Sequence, residues 1–463
     1  MERLSLIKGA RIVDPASGRD EVGDILIAGD RIADRGASAA GAAVIEARGL
    51  VVTPGLIDIH VHLREPGRED EETIESGARA ALRGGFAAVA CMPNTEPALD
   101  DQGAIGFVRA RADEAGLARV YPIGAITAGR RGERMTEFGE MVAAGAVAFS
   151  DDGDSVADAG LLRRAFEYAR MFGAPLISHC EDTSLSAGGV MNEGPMSMRL
   201  GLRGWPAVAE DAIIARDILL AEYTGGRLHV AHVSTARGVD IVRKAKARGI
   251  RVTAESAPHY FALTDESLAG YDTNYKVNPP IRTAADRDAI IAALADGTLD
   301  AIASDHAPHA AYEKDLEFDR APFGLVGLET TLGIVIEHLV RPGRLSLGAA
   351  VERLTAGPAR VLNLPGGTLA AGAPADLTLI DLDAAWTVDP SAFVSLSKNT
   401  PFAGRALHGR AAAVIVAGEA RYRDGEYFPS SRGGDSTAGA RGSRRASASN
   451  PRAADSPLPE RSS

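Results

Sequence analysis

Cysteine is scarce in this chain of 463 residues, which contains only Cys91 and Cys180. Two thiols do not make the disulfide framework that stabilises many small secreted proteins. The first residues, Met1–Lys8, also lack the apolar core of a secretion signal. We therefore expect a protein of a reducing compartment, namely the cytoplasm.

Long apolar runs and excess positive charge are lacking as well. No apolar stretch approaches the ~18 residues that a transmembrane helix needs, and the formal net charge is −12. A negative protein is repelled by the phosphates of nucleic acids and by anionic membrane surfaces. We therefore expect neither nucleic acid nor membrane as a partner.

Lysine is rare, because nearly all of the basic charge is arginine. The lysines are Lys8, Lys244, Lys246, Lys276, Lys314 and Lys398. No lysine lies between residues 8 and 244. Any chemistry that needs a lysine side chain within that interval is therefore excluded.

The pattern of strands and turns divides the chain. Short strands with turn residues between them occur at both ends, and we expect them to pair into one small β-domain, because neither end has enough strands to be stable alone. In the middle, apolar strands alternate with amphipathic stretches such as 159–171 and 207–223, which predicts an α/β protein with a TIM-like (β/α)8 barrel. The last residues are mostly Ser, Arg, Gly, Ala, Asp and Pro, which predicts disorder. The predicted ranges are the first part of the β-domain (1–54), the barrel (55–360), the second part of the β-domain (361–428) and a disordered tail (429–463).

The most informative motif is His60-Val61-His62, at the end of the apolar run Leu56–Ile59. Residues two apart in a strand point to the same face, so both imidazoles can reach one metal ion. Arg64 follows on the same side and has a planar guanidinium that suits a carboxylate. An isolated His-X-His pair can also arise by chance, so the rest of the chain decides between the two interpretations.

Further metal-binding residues follow other apolar strands. They are His179 in Ser178–Glu181, His232 in Ala231–Ser234, Asp305 in Ser304–His309, and Asp151 and Asp152 in Phe149–Gly153. Alone, each has an ordinary explanation as a hydrogen-bonded core histidine or as a turn. Together they predict a metal site, because the carboxyl ends of parallel barrel strands meet at one rim.

Four imidazoles and two carboxylates suit two borderline divalent ions such as Zn²⁺. Two ions ~3.5–4 Å apart need a shared anionic bridge, and a bridging hydroxide would then be the nucleophile near neutral pH. A carbamylated lysine could be such a bridge, but the lysine-free interval excludes it on any strand there. Asp151 or Asp152 must serve, and their spacing does not distinguish them.

The run Asp58–Gly67, Met92–Thr95 and the histidine and aspartate segments above resemble the type I bacterial dihydroorotases of the amidohydrolase superfamily. The resemblance extends over residues 1–428. It implies a distorted (β/α)8 amidohydrolase barrel with a β-sandwich built from both chain ends. It also implies the reversible cyclisation of N-carbamoyl-L-aspartate to (S)-dihydroorotate in pyrimidine (UMP) biosynthesis. A homodimer, or a complex with aspartate carbamoyltransferase, would fit this family.

The resemblance also implies roles for individual residues. His60, His62 and Asp305 would hold one Zn²⁺, His179 and His232 the second, and Asp152 would bridge the two ions of each chain. Asp305 would be the general acid and base of catalysis. The implied substrate contacts are His62, Arg64, Asn94, Asn278, His309, Phe323 and Gly324, the last two through their backbone.

Three expectations complete the interpretation. Residues 309–319 would be a mobile flap. The remaining histidines, among them His229, His259 and His306, would be structural, and Cys180 is a weaker candidate for contact with zinc. The rival functions are a hydantoinase or allantoinase, which typically use a carbamylated lysine, and a metal-free scaffold, which would have lost ligands.

Overall fold

The computed structural model of the protein describes residues 3–430. The predicted disordered tail begins at residue 429, so nearly all of it lies outside the described residues. Ser430, at the end of the described range, donates its backbone N–H to the carbonyl of Gly116 at 2.8 Å.

The described residues alternate between strands and helices. The strands are β1 (Leu4–Asp14), β2 (Arg19–Ala28), β3 (Arg31–Ile32), β4 (Ala43–Glu46), β5 (Val51–Pro54), β6 (Leu56–Val61), β7 (Phe86–Cys91), β8 (Arg119–Pro122), β9 (Phe149–Ser150), β10 (Leu176–Ser178), β11 (Met191–Asn192), β12 (Gly204–Trp205), β13 (Leu228–Val230), β14 (Val252–Ser256), β15 (Ala301–Ile302), β16 (Leu377–Thr387), β17 (Ala406–Val416), β18 (Glu419–Arg423) and β19 (Glu426–Tyr427).

The helices follow the same alternation through the middle of the chain. The α-helices are α1 (Ile74–Gly84), α2 (Gln102–Ala115), α3 (Phe138–Ala144), α4 (Ala159–Arg170), α5 (Thr183–Ser186), α6 (Pro195–Leu200), α7 (Val208–Thr224), α8 (Ala236–Ala247), α9 (Pro258–Ala262), α10 (Ala284–Asp296), α11 (Ala311–Lys314), α12 (Leu328–Val335), α13 (Leu347–Leu354) and α14 (Ala356–Leu362). Single 3-10 turns cover Pro15–Ser17, Ala128–Arg130, Asp265–Gly270, Thr273–Tyr275 and Pro390–Ala392, and a π-helical turn covers Ile336–Val340. The helices predicted at 159–171 and 207–223 agree with α4 and α7 to within one residue at each end.

Within residues 3–430 the strands of the middle region run parallel in two larger sheets and one two-stranded sheet, β11-β12. One sheet has the order β6-β7-β8, and the other has the order β15-β14-β13-β10-β9. Parallel bridges connect the two sheets on both sides, from Gly124 to Phe149 and from Val61 to His306. The predicted α/β class is therefore confirmed, and the carboxyl ends of these strands lie on one side.

Two apolar layers enclose these parallel strands. One cluster consists of strand side chains that are mostly small, including Ile57, Ile59, Ala88, Ala90, Ile177, Ala231, Ala301 and Ala303. A larger cluster joins the other strand faces to the surrounding helices, and Phe86, Phe149 and Phe166 belong to it. Burial on both faces is what an all-parallel sheet requires.

Strands from the two ends of the chain belong to one sheet. Within residues 3–430 its order is β19-β18-β17-β16-β5-β1-β2-β3, with β4 beside β1. The strand β5 connects the two ends, because it pairs antiparallel with β16 and parallel with β1. The expected pairing of the chain ends is therefore present, and only Gly55 separates β5 from β6.

Polar caps begin many of the helices and glycines end them. Thr73 accepts a hydrogen bond from the backbone N–H of Ser76 at 3.0 Å, which caps α1. Asp158 caps α4 in the same way, accepting from Gly160 at 2.7 Å. Gly85, with φ of 95°, ends α1 in the left-handed conformation and leads directly into β7. None of the helices in the described residues is long and apolar enough to cross a membrane.

Candidate functional site

The predicted metal ligands come together at the carboxyl ends of the parallel strands. His60 is the penultimate residue of β6, and His62 follows that strand directly. The pairing of β6 with β7 shifts register between Asp58 and Val61. Such a bulge changes which side chains face inward. It explains how a strand that buries Ile57 and Ile59 on its inner side can also present His60 to the site.

Asp152 lies in the middle of the imidazoles. Its Oδ1 atom is 3.5 Å from His60 Nε2, 3.6 Å from His179 Nδ1 and 3.7 Å from His232 Nε2. Its Oδ2 atom is 3.6 Å from His62 Nε2. One carboxylate therefore faces all four of the predicted histidine ligands.

Asp305 faces the histidine pair at the end of β6. Its Oδ1 atom is 3.4 Å from His62 Nε2 and 3.5 Å from His60 Nε2. Ligand atoms of His60, His62 and Asp305 form one group compact enough to hold an ion, and those of His60, Asp152 and His232 form another. The six predicted ligands thus lie in one cluster, and all six are buried.

Buried polar atoms in this cluster lack hydrogen-bond partners. His60 Nε2 and Asp152 Oδ1 make no hydrogen bond within the described residues, although both are fully enclosed. An unpartnered buried donor or acceptor is costly and calls for an explanation such as a bound ion. Imidazole nitrogens and carboxylate oxygens are the donor types that Zn²⁺ takes, so the residues fit a metal centre.

The carboxylates of the cluster are held in their charged form. Burial alone would raise the pKa of Asp152, but His60, His179 and His232 outweigh it and keep that pKa well below its usual range. Burial opposes ionisation of Asp305 as well, and His62, His60 and His232 again lower its pKa. Both carboxylates are therefore anionic near neutral pH, as a metal ligand must be.

Sequence reasoning missed two carboxylates that orient the histidines. Glu255 in β14 accepts from His60 Nδ1 at 2.7 Å, and Glu181 lies 3.2 Å from His179 Nε2. These contacts leave Nε2 of His60 and Nδ1 of His179 facing Asp152. A carboxylate on the far nitrogen fixes the tautomer of a ligating histidine. The available signal for Glu255 was a charged residue inside an otherwise uncharged strand, Val252–Ser256.

Three residues of the site have left-handed backbone conformations. The φ angles are 60° for Arg64, 32° for His232 and 50° for Asp305. Residues other than glycine adopt such angles uncommonly, and active sites are among the places where they occur. Asp58 supports this region, because its carboxylate accepts from the backbone N–H of His60 and of Ser304, each at 3.1 Å.

The predicted carboxylate-binding residues lie beside the metal cluster. Arg64 Nη2 is 3.4 Å from His309 Nε2, and its Nε donates to the carbonyl of Pro308 at 3.0 Å. Asn94 Oδ1 is 2.8 Å from His62 Nδ1, so Asn94 is joined to a predicted ligand. Glu71, which sequence reasoning also missed, lies 2.9 Å from Arg64 Nε and 3.0 Å from His309 Nδ1.

The predicted ring contacts lie on the other side of His309 and near His179. The carbonyl of Phe323 is 2.8 Å from His309 Nε2. A side chain on Gly324, whose φ is 137°, would come within 3.0 Å of the His309 ring, so the close approach requires glycine. Asn278 Nδ2 donates to Glu181 at 2.9 Å. Asn94 and Asn278 are thus joined to the histidine cluster, through His62 and through Glu181, while Arg64, His309 and Phe323 form a second connected set.

Asp151 and Cys180, the alternatives that the sequence left open, have other partners, and so do two of the histidines expected to be structural. Asp151 accepts from the backbone N–H of Thr127 at 3.0 Å and from the Thr127 hydroxyl at 2.5 Å, away from the imidazoles. The Cys180 thiol is 3.4 Å from the Ser178 hydroxyl, and burial raises its pKa well above the usual range. His229 contacts Thr253 at 2.9 Å and also lies 3.2 Å from Glu255, the carboxylate that accepts from His60, and His306 contacts Glu72 at 3.1 Å.

Comparison with known proteins identifies the family. A family model described as Dihydro-orotase-like matches residues 49–238, and one described as Amidohydrolase family matches residues 214–422. A dihydroorotase of Pelotomaculum thermopropionicum is 57% identical over 421 residues, which cover 90% of this chain and 98% of that protein. A dihydroorotase of Syntrophotalea carbinolica is 55% identical over 90% of this chain and 99% of its own length.

Solved structures that are similar to this chain include hydantoinases. An L-hydantoinase (dihydropyrimidinase) from Arthrobacter aurescens has a TM-score of 0.83 at 28% identity, covering 92% of this chain and 98% of its own. A D-hydantoinase (dihydropyrimidinase) from Thermus sp. has a TM-score of 0.79 at 26% identity, with 93% and 97% covered. The fold is thus shared with hydantoinases, whereas identity above one half is shared with dihydroorotases, and the chain belongs to the dihydroorotase family of the amidohydrolases.

Proposed function

We propose that this chain catalyses the dihydroorotase reaction, the reversible cyclisation of N-carbamoyl-L-aspartate to (S)-dihydroorotate in pyrimidine biosynthesis. The observation that carries the proposal is the contact between two sets of residues. The buried cluster around Asp152 adjoins Asn94, which contacts His62 at 2.8 Å, and the Arg64–His309 pair lies beside it. A metal centre next to a carboxylate-binding pair suits a cyclic amide that bears a carboxylate.

The architecture that we propose for this function is a (β/α)8 barrel, closed on itself, over residues 55–360. The bridges Gly124–Phe149 and Val61–His306 support closure, because they join the two parallel sheets on both sides. Residues 1–54 and 361–428 would form a separate β-sandwich. The nine-stranded sheet shared by the chain ends supports this second domain within the described residues.

We infer that the cluster holds two Zn²⁺ ions. His60, His62 and Asp305 would bind one ion, His179 and His232 the other, and Asp152 would be shared between them. When bound, the ions would supply an activated water and polarise the amide carbonyl. The unpartnered atoms of His60 and Asp152 support this inference.

The remaining chemistry is assigned to side chains of this chain. In the hydrolytic direction, water forms a bond to the ring amide carbon, and the bond from that carbon to the ring nitrogen breaks. Asp305 takes the proton from the attacking water and delivers it to the departing nitrogen.

The other residues bind and orient the substrate. Arg64, Asn94 and His309 would hold the carboxylate that does not react, so that the scissile carbonyl stays in line with the attacking water. Asn278 and the backbone of Phe323 and Gly324 would contact the amide edge of the ring.

The purified chain should hydrolyse dihydroorotate, which is measured by the loss of its ultraviolet absorbance. Hydantoin and allantoin, assayed side by side, should react far more slowly. A chelator should abolish the activity, and added Zn²⁺ should restore it. Elemental analysis should find two zinc equivalents per chain. An active preparation without metal would contradict the metal centre, and a preference for hydantoin or allantoin would contradict the substrate.

Replacement of Arg64 by alanine should chiefly weaken substrate binding. Loss of a charge-assisted contact to the substrate carboxylate is expected to raise KM at least about tenfold while the metal ligands stay in place. Arg131→Ala is the matched control, because Arg131 is an exposed arginine on the loop after β8. Steady-state kinetics of both variants test this, and an unchanged KM in Arg64→Ala would rule out the assigned role.

We further propose a cytoplasmic location, which the two free, buried cysteines support. A homodimer, or a complex with aspartate carbamoyltransferase, is an expectation from the family that sedimentation of the purified chain would measure.

A further inference from the structure

Two lysines hold the backbone of the segment Asp319–Gly324, hereafter the ring-edge segment. Lys276 Nζ donates to the carbonyl of Ala321 at 2.6 Å and to that of Asp319 at 3.1 Å. Lys314 Nζ donates to the carbonyl of Pro322 at 2.8 Å. Three carbonyls within four residues are thus bound by lysine side chains from outside the segment.

The burial of these lysines is unusual. Lys276 is 2% exposed and Lys314 is 8% exposed. Lysine is almost never this buried unless a carboxylate pairs with it. Within residues 3–430, neither amine forms an ion pair with a carboxylate, and their hydrogen-bond acceptors are backbone carbonyls.

Burial also shifts the pKa of both amines. Burial lowers the pKa of Lys276 to about 8 and that of Lys314 to about 7. Both amines keep N–H donors in either protonation state, so the contacts to the carbonyls do not depend on the charge. Burial of these two amines costs free energy of folding, because each loses its hydration.

Lys276 connects the ring-edge segment to the proposed substrate pocket. Its own carbonyl accepts from the backbone N–H of Gly324 at 2.8 Å, and its amine lies 4.7 Å from the centre of the Phe323 ring. Phe323 in turn contacts His309 through its carbonyl. Asn278 lies two residues after Lys276, so the lysine stands between two proposed contacts to the substrate ring.

Lys314 acts on the peptide bond that leads into Phe323. A donor on the Pro322 carbonyl polarises that amide and makes the Phe323 N–H a stronger donor, because linked hydrogen bonds reinforce one another. In the part of the chain that the structure describes, this N–H has no acceptor. It is therefore free to donate to the edge of a bound ring.

We infer that Lys276 and Lys314 are positioning residues, which hold the ring-edge segment so that the backbone N–H of Phe323 meets the amide edge of the substrate. The inference rests on the proposed function and extends it. Neither lysine touches the reacting atoms. Their loss should therefore weaken the binding of ground state and transition state alike.

The test compares lysine-to-methionine variants, which keep an unbranched side chain one atom shorter and remove its donor. Lys276→Met and Lys314→Met should each raise KM for dihydroorotate about tenfold or more, with kcat within about threefold of the parent. The inhibition constant of orotate, a planar ring with the same carboxylate and amide edge, should rise in parallel. Zinc content should not change, because neither lysine contacts a metal ligand.

Lys246→Met is the matched control. Lys246 is also partly buried and donates to Asp300 at 2.5 Å, but it belongs to α8 and has no contact with the ring-edge segment. Its KM and its orotate inhibition should equal those of the parent. If a methionine variant does not fold, Lys276→Gln and Lys314→Gln replace it in the test. These variants keep an N–H donor, so their KM should rise by less than the tenfold expected of the methionine variants.

The results distinguish failure of the lysine inference from failure of the proposed dihydroorotase function. A parent chain that does not turn over dihydroorotate refutes the proposed function. A parent that is active, with lysine variants whose KM and orotate inhibition are unchanged, refutes the inference alone. A fall in kcat together with loss of zinc would also overturn it, because the lysines would then support the metal centre rather than the ring-edge segment.

Discussion

Replacement of Asp305 by alanine will lower kcat by at least about 10³-fold, because the residue combines proton transfer with metal binding. Its carboxylate faces His60 and His62 at 3.5 and 3.4 Å, and its backbone is held in a left-handed conformation by the surrounding structure. The other carboxylate among the predicted ligands, Asp152, has a different place in the described cluster, because it faces all four imidazoles.

Two further variants make this result specific. Asp305→Asn keeps the shape and one ligand oxygen but cannot accept the proton, so it should lose turnover while keeping most of the metal. Asp154→Asn is the control, since Asp154 lies at the same rim but is largely exposed and pairs with Arg130. Turnover of dihydroorotate and zinc per chain are measured for each. Near-normal rates in either Asp305 variant would mean that another group transfers the proton.

Much of the site could be predicted because its ligands obey a local rule. His179, His232 and Asp305 each follow a short apolar strand, and alternating strands and helices place such positions at one rim. The lysine-free interval added a second local argument, because it left only Asp151 and Asp152 as bridging groups. In the structure the two aspartates differ in their partners, because the Asp151 carboxylate accepts a hydrogen bond from the backbone N–H of Thr127.

The residues that support the ligands could not be predicted in this way. Glu255 reaches His60 across 195 positions of the chain, and Glu71 reaches His309 across 238. Such pairs depend on the register between strands and on the path of loops, neither of which leaves a periodic signal. The bulge in β6 is of the same kind, since it exists only in the pairing with β7. The two lysines were visible in the sequence only as rare residues, and their proposed role depends on the path of a loop that lies 8 residues from Lys314 and 45 from Lys276.

Replacement of Asp152 by asparagine should remove both turnover and metal. Among residues 3–430, Asp152 is the one carboxylate that faces all four histidines, with its oxygens 3.5 to 3.7 Å from their ring nitrogens. Without a shared negative charge, two divalent ions this close would repel each other across a neutral side chain. We expect zinc to fall from two equivalents to at most one, and dihydroorotate hydrolysis to fall by at least about 10³-fold.

Asp151→Asn is the matched comparison, because it removes the same charge one residue away. Asp151 is directed to Thr127, so this variant should keep its zinc and most of its activity. Elemental analysis and steady-state kinetics of the two variants decide between the neighbouring aspartates. Should Asp151→Asn lose the metal while Asp152→Asn keeps two equivalents, the bridge would be Asp151. Should both variants keep two equivalents and full activity, neither carboxylate would join the ions.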